Sequence, residues 1–193
     1  MKNSVLVGFK RSPFTIANKG LLASVRPEDI LSQVINDLVE TSKINKNDIE
    51  DIIAGCAYPE GAQGYNIAKI VSFMTNMPEH VGGMTINRWC GSSMQAIHTA
   101  AGAISMNAGK VFVCCGIESM TSVPINGLNY SPHPELLKNQ PDVYLSMGLT
   151  AENVAKKFNI SRTEQQEFAI KSHTRAFNAQ STNAFDEEIT IIK

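Results

Sequence analysis

The chain has almost no net charge with which to attract a charged partner. Its 17 Lys and Arg stand against 18 Asp and Glu, for a formal charge of -1. Nothing here points to nucleic acid or an anionic membrane as a bulk partner. Long hydrophobic runs are also missing. The opening MKNSVLVGFKRSPF holds an apolar run of five residues before charge returns, which is too short for a signal-peptide core or a membrane span. Cysteine is sparse, with four residues at Cys56, Cys90, Cys114 and Cys115. They form no Cys-x-x-Cys pair and no zinc-like spacing, so no metal is expected. Adjacent Cys114 and Cys115 cannot easily join each other. Free thiols in a reducing cytoplasm are the expectation, although an even count also permits disulfides. Nucleotide-binding glycine motifs and internal repeats are absent too.

What is present is a foldable composition. With 193 residues, 43% hydrophobic and 18% charged, the chain can bury the core of one large domain. SVLVGF at 4–9 reads as a buried strand. Pro27 then suits a first helical position, with Glu28 and Asp29 at the positive end of the helix dipole. Ile30, Leu31, Val34, Ile35, Leu38 and Val39 follow on one apolar face. DIIAGCAY at 51–58, GGMTIN at 82–87 and KVFVCCG at 110–116 read as strands. A helix precedes GGMTIN, and a second, at 91–107, follows it. The order β-α-β-α-β-α-β predicts an α/β fold, with a mostly parallel sheet covered on both faces by helices.

The pattern changes after residue 118. A proline-rich stretch without period leads to two helices, the second opened by the capping box Ser161-Arg-Thr-Glu164. EEITIIK at the end reads as a strand. Composition thus suggests a core at 1–118 and a second region at 119–193.

The stretch INRWCGSSMQAIHTAAGAISM carries the chemistry. Cys90 follows a strand, and a Gly-Ser-Ser turn opens a helix. Amides of Gly91, Ser92 and Ser93 at a helix start lack intrahelical partners. Such a cradle favours a thiolate and could hold the oxyanion formed when sulfur attacks a carbonyl. The competing reading is a small core cysteine. That reading fits Cys56, Cys114 and Cys115. For Cys90 both remain open on residue chemistry alone. The following helix carries Ala96, Ala100, Ala101, Gly102 and Ala103, so backbones are expected to approach it on several sides.

NRWCGSSMQAI with GIESM resembles the nucleophile segment of the thiolases. RSPF at 11–14, SMGLTAENVAKKF at 146–158 and ISRTEQQEFAIKSHTRA at 160–176 match at the family's spacing, so the resemblance covers essentially the whole chain. SPHPELL and SMGLTAE look closer to the degradative 3-ketoacyl-CoA type of fatty acid β-oxidation than to the acetoacetyl-CoA type. The resemblance implies two similar α/β halves with a loop domain inserted in the first. It implies that Cys90 takes the acyl group of a 3-ketoacyl-CoA and releases acetyl-CoA. Coenzyme A then accepts the acyl group as a second substrate, and no cofactor takes part. It also implies a pocket position at Met147, with Ser146 where many members have histidine. By the same analogy, Lys171 and Arg175 could receive coenzyme A phosphates. The alternative for Lys156, Lys157, Arg162, Lys171 and Arg175 is a solvated face. Gly61, Gly64 and Asn66 are read as turn and helix-start residues.

Two family motifs are missing: Gly-His-Pro, whose histidine activates the nucleophile, and Cys-x-Gly-x-Gly, whose cysteine is the general acid/base. His80, His98, His133 and His173 match neither. The chain is therefore expected to be the first half of the fold, ending inside the loop domain and short of its last strand. A truncated product, a subunit with a partner half-chain and a proteolytic fragment are equally compatible. The alternative function is a catalytically incompetent module that binds coenzyme A or another protein. A decarboxylating ketosynthase is disfavoured by SMGLTAE and SRTEQQEFA. The 82–87 strand matches the one through which thiolase subunits pair, so a homodimer is expected.

Overall fold

The computed structural model describes residues 3–193. Contacts group the described residues up to Asn129 with Glu188–Lys193 and leave Tyr130–Glu187 as a second unit. The division expected at 118/119 followed the loss of period there and the resemblance to a loop domain.

The first unit is built on three parallel strands, β1 (Ile49–Gly55), β2 (Gly82–Ile86) and β3 (Val111–Gly116), in the order β2-β1-β3. β1 is central, and Ile52, Ile53 and Ala54 are all buried, as a strand covered on both faces requires. Helices α1 (Pro27–Ser42) and α2 (Ile67–Met74) cover one face. There Leu31, Ile35, Ile67 and Val71 pack with Ile52 and Ala54. Helix α3 (Ser92–Ser105) covers the other, with Ala96 and Ala100 against Ile53. The alternating side-chain directions of β1 divide the two cores.

Local sequence accounts for the helix ends. Proline opens α1, acidic residues fill its first turn, and Lys43 closes it in the left-handed conformation. The Asn66 side chain accepts from the Thr85 hydroxyl at 2.8 Å and donates to the Gly83 carbonyl at 2.8 Å, which seats the start of α2 on β2. This bears out the reading of Asn66 as a helix-start residue.

Three expectations are corrected. Residues 4–9 form no strand. Residues 5–9 line an apolar groove of about 400 Å³ together with α1 and β3 instead of bonding to β3, and Leu6 is 82% exposed. EEITIIK makes one isolated bridge, Arg11 to Ile189, and no strand. Helix α3 is not enclosed. It uses Ser92, Ala96 and Ala100 against the sheet, while Met94 is exposed and a Cβ at Gly102 would meet nothing within 4 Å. Small residues permitted close approach on every side, but among the described residues only the sheet takes it up.

The second unit holds α4 (Pro134–Asn139), α5 (Met147–Phe158) and α6 (Arg162–Ser181). Helix α4 lies in the stretch where no period was legible. The capping box is present: Ser161 Oγ accepts from the Glu164 amide, and Glu164 accepts from the Ser161 amide at 2.7 Å.

Candidate active site

The carboxyl ends of β1 and β3 set the site. Gly55 and Gly116 are register partners there. A Cβ at Gly55 would stand 2.8 Å from Ser93 Cα and collide with the Ser93 backbone nitrogen. A Cβ at Gly116 would collide with Ser93 Oγ and stand 3.1 Å from its Cβ. Two glycines side by side therefore let the first turn of α3 rest directly on the sheet.

The turn before that helix is tied on both sides of Cys90. Asn87 Nδ2 donates to the Ala57 carbonyl at 2.9 Å, and Asn87 Oδ1 accepts from the Trp89 amide at 2.9 Å. Trp89 has φ +48°, an uncommon conformation for a bulky side chain. Its ring stands edge-on to Tyr58, with centroids 5.2 Å apart at 80°. Ser92 Oγ accepts from the Arg88 amide at 2.8 Å and donates to the Trp89 carbonyl at 2.6 Å. Cys90 sits on this turn, exposed.

The amide cradle differs from expectation. The Gly91 and Ser92 amides donate to the Arg88 and Trp89 carbonyls, each at 3.0 Å. Among the described residues the Ser93 amide makes no such bond to a turn carbonyl. The turn consumes two of the three amides to fix its own shape, because a left-handed residue at 89 folds the carbonyls of 88 and 89 back onto the helix start.

The other cysteines are less accessible, Cys56 buried and Cys114 and Cys115 partly covered. Cys56 is buried with Sγ 3.8 Å from Glu118 Oε1, and burial followed by that carboxylate pushes its thiol up to about 12. Burial, then neighbouring Cys114, pushes Cys115 to about 12. Burial also raises Cys114, whose Sγ lies 3.5 Å from the Ala96 carbonyl.

This layout is a fold-level match to known proteins. The family model described as "Thiolase, N-terminal domain" matches residues 4–193. The chain belongs to the thiolase family. It is 38% identical over 193 residues to the 3-ketoacyl-CoA thiolase of Bacillus subtilis, covering 100% of this chain and 49% of that one. It is 39% identical over 191 residues to that of Aeromonas salmonicida, covering 98% and 49%. The crystal structure of the dimeric peroxisomal thiolase of Saccharomyces cerevisiae superposes with a TM-score of 0.86 at 30% identity, over 98% of this chain and 50% of that one. This thiolase chain thus spans about half the length of the curated relatives it matches.

The other candidate residues lie in the second unit. Ser146 caps α5, its Oγ accepting from the Leu149 amide at 3.4 Å, and Met147 is the exposed first residue of that helix. Lys171 and Arg175 are exposed, one turn apart on α6. Cys90 belongs to the first unit, and each group is defined within its own unit. Sequence reasoning missed Gly55, Gly116, Asn87 and Glu118. The legible signal was a glycine closing each of two apolar strands.

Proposed function

We propose that this chain carries the nucleophile half of a thiolase acting on 3-ketoacyl-CoA. In thiolysis, Cys90 Sγ attacks the 3-keto carbon, and the bond between carbons 2 and 3 breaks. The two-carbon piece takes a proton and leaves as acetyl-CoA. The thiol of coenzyme A then attacks the Cys90 thioester and leaves with the acyl group. The reverse sequence is a Claisen condensation.

The observation that carries the reading is the contrast among thiols. Cys90 alone is exposed, on a turn fixed against the sheet, while Cys56 is buried and Cys114 and Cys115 are partly covered. Met147 and Ser146 are proposed to line the acyl and pantetheine pocket. Lys171 and Arg175 are proposed to receive coenzyme A phosphates. A homodimer through the outer edge of β2 is the proposed assembly. That strand pairs only with β1 among the described residues, leaving one edge open.

A second reading is favoured by the absence of Gly-His-Pro and Cys-x-Gly-x-Gly from these 193 residues. On it, turnover belongs to an assembly with a C-terminal half, and this chain alone accepts at most one acyl group. The test is incubation with acetoacetyl-CoA and coenzyme A, following thioester loss and intact mass. One acyl group on Cys90 without steady turnover is expected. Acylation elsewhere, or none, overturns the nucleophile assignment. Steady turnover by the chain alone overturns the second reading.

A further inference from the structure

Glu118 stands two residues beyond the end of β3, and Ala57 and Tyr58 stand just beyond the end of β1. The strands are parallel neighbours, so their loops emerge together. Besides the Cys56 thiol, three nitrogen donors converge on the Glu118 carboxylate. They are the Ala57 amide at 2.7 Å, the Tyr58 amide at 3.3 Å and Gln63 Nε2 at 2.8 Å. Gln63 is fully buried, donates also to the Tyr58 carbonyl at 2.8 Å, and accepts from the Ser119 amide. A merely solvated surface acid would have no such set of protein donors. Bonds to a carboxylate are charge-assisted, so this clasp is stronger than neutral loop contacts.

The clasped segment is also what holds the Cys90 turn. Ala57 supplies the carbonyl for Asn87, and Tyr58 supplies the ring against Trp89. A left-handed tryptophan persists only where its surroundings over-determine it. Both supports come from the two residues whose amides Glu118 binds.

We propose that Glu118 is a positioning residue for the Cys90 turn, acting through Ala57 and Tyr58. Its hydrogen-bond partners are Cys56, Ala57, Tyr58 and Gln63, and Cys90 is not among them. The inference rests on the reading of Cys90 as the nucleophile, and its test separates the two.

The chain has a single tryptophan, so its fluorescence reports this turn alone. The experiment measures Trp89 anisotropy and Cys90 alkylation by iodoacetamide in the full chain, the E118A, E118Q and Y58L variants, and the E118A/Y58L double variant. Circular dichroism melting accompanies each. E118A is expected to lower Trp89 anisotropy and to slow Cys90 alkylation about fivefold, and Y58L to do the same. The double variant is expected to be no slower than either single one, because coupled residues give non-additive effects. E118Q keeps an acceptor oxygen and is expected to recover part of the rate. It is also the variant to read if E118A does not fold. Unchanged anisotropy and rate in a folded E118A or E118Q variant overturn the proposal. So do E118A and Y58L effects that multiply in the double variant. Should wild-type Cys90 react no faster than a free thiol, the nucleophile reading fails instead, and anisotropy alone decides the role of Glu118.

Discussion

Gly55 lies against the backbone of Ser93, with no room between them for a methyl group. Backbone meets backbone there, so neither side can rotate away. The carboxyl end of the central strand thereby sets the height of the helix that Cys90 precedes. G55A is expected to cost about 1–3 kcal/mol through overpacking. It should also shift the rate of Cys90 alkylation. Urea unfolding and labelling kinetics check the two effects, and wild-type values for both would refute the close packing.

Thiol chemistry should separate the cysteines. At pH 8 a thiol held at about 12, as Cys56 and Cys115 are, is ionised to roughly one part in ten thousand. Brief iodoacetamide treatment followed by peptide mass mapping is expected to label Cys90 first. Preferential labelling of Cys56 or Cys114 would refute the site assignment.

Cys56 also predicts alkaline instability. Its folded value is raised from 9.0 to about 12, so the folded state holds this proton more tightly than the unfolded chain does. The associated stability is complete below about pH 9 and is lost as pH rises towards 12. Melting temperatures between about pH 8 and 11 should therefore fall less steeply for C56A than for the wild type. Parallel slopes would show that Cys56 contributes nothing to the alkaline limb.

The basic pair on α6 gives a binding test. K171A and R175A are each expected to weaken coenzyme A binding several-fold, and added salt should erode the difference. Calorimetric titration at two salt concentrations measures this. Unchanged affinity in the double variant would leave the pair a solvated face.

The legibility of the fold followed the strength of its local signals. The one-sided apolar pattern from Ile30 to Val39 and its proline start announced α1, and Ser161 with Glu164 announced α6. These signals act within a few residues, so no distant contact was needed to read them. Residues 4–9 and 187–193 carry equally strong strand character, yet neither joins a sheet. A strand exists only where a partner's backbone lies alongside, and composition cannot place that partner.

Cys90 at a strand-to-helix turn, and membership of the thiolases, were determined by residue order alone, because turn chemistry and motif spacing are written locally. The tertiary structure decided which amides the turn consumes, that Gly55 and Gly116 seat the helix, and that Glu118 clasps the neighbouring loop. The glycine and Glu118 relations join residues from 23 to 61 positions apart (Gly116 to Ser93, Ala57 to Glu118). They exist only because parallel strands bring their carboxyl ends to one edge.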